Sequence, residues 1–281
     1  MTFVFQKVYE MGSADPFVAR MMLQIMELRD SVFHGNSDRR EFDEFYEPIL
    51  VNLLECRNAG KQCEQIITDH KRKIASKQII SFQNKALTIT ESIDSELNRN
   101  FKDFFIKGTI ALNSLERMSK FLGYSVKFAF GRSKTIFEKG SKEFLKRHPG
   151  DQFENFIQML QGDWETWYPT FNEIRTKIEH DGFNLPRVHY AVDRDKNVAV
   201  SIPTINSKGI IDTLSLLWDN LFEFCEDIIV CQFGFKLDPL LVIVCVSPNQ
   251  RDPQQPVKYK LSLKPELLAK LFPERKQMGS A

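Results

Sequence analysis

The chain has 281 residues, enough for one large domain or two moderate ones with a substantial buried core. Its 42% hydrophobic and 27% charged residues are those of an ordinary globular protein, which excludes a disordered or fibrous chain. Lys and Arg number 38 against 37 Asp and Glu, so the formal charge is +1 and no global basic field announces a nucleic-acid binder, although a local basic face remains open.

In chain order, residues 15–34 read as a helix with Asp15 as N-cap and Pro16 at its first position. Met22, Ile25, Met26, Leu28 and Val32 recur there near helical spacing. A second helix is predicted over 39–58, with Pro48 starting a new segment or bending the first, and a Lys-rich helix over 61–75. Residues 76–90 lose the helical period. Thr90 reads as the N-cap of the longest periodic stretch, 91–122, whose buried stripe runs from Ile93 through Phe101, Phe104, Phe105, Ile110 and Leu115 to Leu122. Gly108 within it suggests a close helix–helix contact.

From 123 to 148 basic residues alternate with Phe, and Pro149-Gly150 ends the run. Lys127, Arg132 and Lys134 are its candidates for guiding an RNA backbone, with Phe128 or Phe130 stacking a base; an amphipathic segment with Phe inside and Lys in solvent is the competing reading. Gly131–Thr135 lacks the spacing of a phosphate-binding loop. Asp151–Leu160 and Asp163–His180 read as helices, with the aromatic cluster at Trp164, Trp167 and Tyr168 assigned to packing.

After Gly182 the pattern changes. Val188–Val192 and Val198–Ile202 read as a hairpin, Ile210–Cys231 as a strongly apolar helix, and Leu240–Val246 and Val257–Leu263 as strands; Lys264–Phe272 reads as a short helix before a loose tail from Lys276. The expected fold is mainly α: an antiparallel helical bundle over 1–182, then a small α+β unit over 183–281.

Cys56, Cys63, Cys225, Cys231 and Cys245 are odd in number and lack a CxxC pair, which suits reduced thiols better than a disulfide framework or a zinc site. No apolar run approaches the roughly 18 residues of a membrane span, and the first residues lack a signal-peptide pattern. The expectation is a cytoplasmic, soluble protein that needs no metal or cofactor. His70 and His148, in charged surroundings, read as surface residues.

The strongest chemical signal is a pair of matched octets, Glu-Leu-Arg-Asp-Ser-Val-Phe-His at 27–34 and Glu-Ile-Arg-Thr-Lys-Ile-Glu-His at 173–180. They share Glu27/Glu173, Arg29/Arg175, a β-branched Val32/Ile178 and His34/His180, and a turn-forming run follows each. An Arg can hold a phosphate and a His can move its protons. Residues five apart on a helix are rotated by about 140°, so Arg29 and His34 do not share a face; Asp30, four before His34, does and would orient its ring. Arg and His in a last helical turn also commonly just satisfy carbonyls and the helix dipole.

The octets resemble the signature of the HEPN superfamily of helical proteins: Arg, a polar residue, a few variable residues, then His. Arg29–His34 fits it in full, and Arg175–His180 fits apart from Thr176. The resemblance covers about residues 15–182. It implies an RNA-directed protein: either a metal-independent endoribonuclease of a toxin or defence system, or a non-catalytic helical module that binds a partner protein or nucleotide. In the first case Arg29, Asp30, His34, Arg175 and His180 form the site, the His exchanging protons and the Arg stabilising phosphate charge. It also implies a homodimer, with RNA, a partner protein or an antitoxin as partners, and a cleft shared by the two octets within the chain or across the dimer.

Overall fold

The protein's structure, a computed structural model, describes residues 11–83, 86–131 and 133–267. Helices dominate, and among the described residues the strands form only two-stranded antiparallel sheets, as the mainly-α reading with a small α+β C-terminal part expects. The helices are α1 (Ile25–Val32), α2 (Asn36–Ala75), α3 (Asp94–Phe121), α4 (Lys134–Arg147), α5 (Asp151–Thr166), α6 (Tyr168–His180) and α7 (Ile210–Gly234). The hairpins pair β1 (Ile80–Gln83) with β2 (Ala86–Ile89), β3 (His189–Val192) with β4 (Val198–Ser201), β5 (Thr204–Ile205) with β6 (Lys208–Gly209), and β7 (Leu241–Cys245) with β8 (Tyr259–Leu263).

Several boundaries differ from the sequence reading. Pro48 neither starts nor ends a helix: α2 runs through it for 40 residues. Proline removes one backbone donor, but the buried stripe Tyr46, Ile49, Leu53, Cys56, Cys63 and Ile67 continues past it and holds the helical register. Thr90 is not the cap of α3. Its N–H and hydroxyl both donate to the Ile79 carbonyl, closing the β1–β2 hairpin, and the helix starts at Asp94, whose N–H reaches Ser92 Oγ. The break between α5 and α6 falls at Trp167 rather than near Gly162, because Pro169 at the second position of α6 cannot continue the preceding ladder. Ile110, expected inside, is 40% exposed. Part of the helix expected over 264–272, and the tail beyond it, lie outside the described residues.

The chain divides into two compact units. One contains the described parts of 1–44, with 121–124 and 225–267; the other contains 45–120 and 125–224. In the first, Asp15 caps the helical entry as expected, its Oδ1 accepting from Phe17 N at 2.8 Å. The backbone then adopts a π-helix over Val18–Gln24 before α1. Arg20 and Gln24 both reach Glu226 on α7, which is fully buried. Gln24 Oε1 in turn accepts the N–H groups of Lys258 and Tyr259, at 2.7 and 2.6 Å. A cluster of Phe33, Phe42, Phe121 and Phe233, with ring centroids 5.3–6.3 Å apart, completes this core.

In the second unit Gly108 makes the expected close contact. A Cβ there would stand 2.9 Å from Phe171 Cζ on α6 and 3.2 Å from Leu221 on α7, so α3 has room only for glycine at that point. The basic and aromatic run folds as a 3-10 turn, Lys127–Phe130, followed by α4. Phe128, Phe137 and Phe144 turn inward and Gly140 seats the Phe128 side chain. His70 is not a surface residue but 1% exposed, with Nε2 2.7 Å from the Tyr190 hydroxyl.

Candidate functional site

The two octets belong to different compact units, and each has its own surroundings. In the first octet, α1 ends at Val32 and the Arg39 side chain caps it, Nε donating to the Phe33 carbonyl at 2.7 Å. Arg29 is held on both edges. Its Nε and Nη2 donate to Asp30 Oδ1 at 2.9 and 2.8 Å, and its Nη1 donates to Asp43 Oδ1 at 2.6 Å. Burial works against the charge, but the hydrogen bonds it donates to Asp43 and Asp30, with the attraction of both carboxylates, outweigh it and raise the guanidinium's pKa above its usual value.

Asp30 is therefore committed to Arg29, not to His34 as the four-residue spacing suggested, and Arg39 Nε stands 3.6 Å from the same oxygen. The reason is reach: the adjacent guanidinium offers two charged donors, while His34 lies beyond the end of α1 and is exposed. A phosphate entering here would have to displace two carboxylates. The first octet is built as a clamp between α1 and the start of α2.

The second octet closes α6. Gly182 takes a positive φ of 62°, and the N–H groups of Asp181 and Phe183 return to the Lys177 carbonyl, which stops the helix at His180. The segment that follows is tied to α3. Asn184 Oδ1 accepts from Asn98 Nδ2 at 2.9 Å and Lys102 Nζ at 3.0 Å, and Leu185 N donates to Asn98 Oδ1 at 3.0 Å. These bonds fix the end of α6, and with it the position of His180.

Arg175 is held on one edge only, Nε donating to Glu179 Oε1 at 2.9 Å. Its two terminal nitrogens carry no hydrogen bond among the described residues. The other oxygen of Glu179 is 3.9 Å from His180 Nε2, at the edge of ion-pair range. Glu179 thus bridges an Arg and a His that the helix rotates apart. His180 is 57% exposed and open to a ligand from solvent.

Arg175 also lines a polar cleft of about 230 Å³ between α3 and α6. Thr109 and Asn113 of α3, Phe130 of the 3-10 turn, and Tyr168 and Asn172 of α6 line it with Arg175. The Thr109 hydroxyl donates to Phe105 O at 2.7 Å and that of Tyr168 to Phe130 O at 3.0 Å, so both walls are fixed. The Asn113 and Asn172 carboxamides have no hydrogen-bond partner among the described residues.

Of the basic candidates, Lys127 is exposed at the start of the 3-10 turn and Lys134, also exposed, stands 3.9 Å from Glu138. Arg132 lies outside the described residues. Phe128 is core; Phe130 is half-buried and faces the cleft. Sequence reading missed Glu179 and Asn172, although both sit at helical neighbour spacing from Arg175, four after and three before it. Thr109 and Asn113 carried no such signal, being more than 60 residues away. Among the described residues no group of three His, Cys, Asp or Glu is arranged to hold a metal ion, and no helix is long and apolar enough to cross a membrane. No family model, curated protein or solved structure matches the chain.

Proposed function

We propose that the protein is an HEPN-like helical module that binds RNA at the C-terminal end of α6. One observation carries this reading: among the described residues nothing bonds the two terminal nitrogens of Arg175, which stand beside an open polar cleft. A guanidinium edge of this kind takes two oxygens of a phosphate in parallel hydrogen bonds. Arg29, with both edges occupied by carboxylates, is assigned to the structure of its own corner. Exposed Lys127 and Lys134 supply further cationic contacts for a backbone.

A second reading, cleavage, is favoured by the contact between Glu179 and His180. A carboxylate beside an imidazole helps to orient its ring. In that reading the RNA 2′-hydroxyl loses its proton to solvent water as its oxygen bonds the adjacent phosphorus, the bond from phosphorus to the 5′-oxygen breaks with His180 giving that oxygen a proton, and Arg175 stabilises the negative charge of the pentacovalent phosphate, leaving a 2′,3′-cyclic phosphate and a 5′-hydroxyl. The five cysteines are free, which suits a reducing, cytoplasmic setting. A toxin or defence role, an antitoxin partner and a homodimer rest on the HEPN resemblance.

The test is to incubate the pure protein with total RNA in EDTA and to measure binding by fluorescence anisotropy alongside. Binding that Arg175→Ala weakens by about ten-fold or more, the worth of one charged hydrogen-bond set, supports the module. New 2′,3′-cyclic phosphate ends that vanish in His180→Ala establish the enzyme. No binding at low salt refutes both.

A further inference from the structure

The cleft beside Arg175 is larger than a phosphate needs. Its volume of about 230 Å³ is that of some seven or eight waters at their liquid share of about 30 Å³ each. Its lining is also not that of a simple anion site. Half-buried Phe130 lines it with Tyr168, Phe171 and Leu112, and Asn113 and Asn172 offer carboxamides with no hydrogen-bond partner among the described residues. Each carboxamide presents a donor and an acceptor side by side, the pattern that matches the edge of a nucleobase.

We infer that this cleft is a nucleobase pocket, taking one unstacked base of single-stranded RNA while Arg175 holds a neighbouring phosphate. The inference rests on the RNA reading above and adds what that reading leaves open, the part of the nucleic acid that is recognised. An aromatic wall accepts the π-face of any base. Asn172 stands three residues before Arg175 on α6, so the carboxamide and the guanidinium project from the same side of the helix. Asn113 approaches from α3, so the base edge is read from two helices. Phe130 is kept in place by the hydrogen bond of its carbonyl with the Tyr168 hydroxyl and by its edge-on contact with Phe224, centroids 6.0 Å apart. A duplex hides its base faces in the stack, so the ligand class is single-stranded or looped RNA.

The experiment compares short fluorescein-labelled oligoribonucleotides of each single base with an abasic ribose-phosphate oligomer of the same length, by anisotropy. The proteins are the full-length wild type, Asn113→Ala, Asn172→Ala and Asn172→Asp. The expected result is that the abasic oligomer binds about ten-fold more weakly than the best base, the loss of one stacked and hydrogen-bonded base. The two Ala variants should flatten the ranking of bases while leaving abasic binding unchanged. Asn172→Asp, of the same size but without the amide donor, should reorder that ranking. Equal affinity for abasic and base-bearing oligomers, or a ranking untouched by all three variants, overturns the pocket while the phosphate reading stands. No binding of any oligomer overturns the RNA reading itself. Unchanged thermal melting of the variants shows that each loss is local.

Discussion

Gly108→Ala sets two quantities of known size against each other. Alanine in a helix interior is favoured over glycine by about 1 kcal/mol. The new methyl carbon, however, would stand 2.9 Å from Phe171 Cζ, 3.0 Å from Phe171 Cε2 and 3.2 Å from Leu221 Cδ2, where carbon atoms prefer about 3.5–4.0 Å. Phe171 cannot swing aside freely, being 1% exposed and hemmed by Phe105 and Trp167 at centroid distances of 5.2 and 6.0 Å. Overpacking of this kind costs about 1–3 kcal/mol, so the net effect should be a loss of up to about 2 kcal/mol, centred near 1. Gly162→Ala in α5 is the control, since nothing lies within 4 Å of a Cβ there. It should gain up to about 1 kcal/mol. All three tryptophans lie in the unit that contains both glycines, so urea unfolding followed by tryptophan fluorescence reports on the right part of the molecule. Replacing Phe171 by Leu should remove the two shortest contacts, leaving that with Leu221, and recover part of the gain for Gly108→Ala, a coupling readable in a double-mutant cycle. If Gly108→Ala stabilises as much as Gly162→Ala, the close approach of α3, α6 and α7 is wrong.

Three further outcomes are expected. Burial holds the pKa of His70 below its ordinary 6.5, against the opposing pull of Glu91 and Asp94 and with help from Lys73, so the unfolded chain binds the proton more readily. The stability of the second unit should be full above about pH 6.5 and fall as the pH drops below it; a tryptophan-monitored urea midpoint with the same pH slope in His70→Gln would refute this. Glu226→Ala removes the buried carboxylate that Arg20 and Gln24 both reach, a loss of about 3–5 kcal/mol that Arg20→Met with Glu226→Leu should largely recover. Hydrogen exchange over 225–234 and 257–263 is the measurement, and unchanged protection in Glu226→Ala would contradict the network. Finally, Arg29→Ala should cost about 1–2 kcal/mol by freeing Asp30 and Asp43 and leave RNA affinity intact; a folded Arg29→Ala protein that has lost RNA binding would reverse the roles given to the two octets.

Where helices and strands follow local periodicity, they were legible. The hairpin at His189–Ser201, the long apolar helix from Ile210 and the paired strands near 241–245 and 259–263 appear close to their expected positions, because alternation and helical recurrence act within a few residues. The β1–β2 hairpin was missed although its signal was present, an alternation of Ile80, Phe82, Leu87 and Ile89 on either side of a short polar run in the sequence. The π-helix at Val18–Gln24 left no local signature: its apolar residues recur much as in an α-helix, and the bonds that accompany it end on Glu226, about 200 residues away.

The sequence by itself determined the helical character of the chain, the glycine at the crowded point of α3 and the two matched octets, with Arg29 and Arg175 at their third positions and His34 and His180 at their ends. Only the tertiary structure decided that the octets differ. Asp43 reaches back to close the second edge of Arg29, whereas Arg175 meets a single carboxylate and then the open cleft with Asn113 and Tyr168. The physical reason is that a side chain's own helix supplies neighbours only three or four positions away. Whether a guanidinium is satisfied or left free for a ligand depends on groups that folding brings in from other helices.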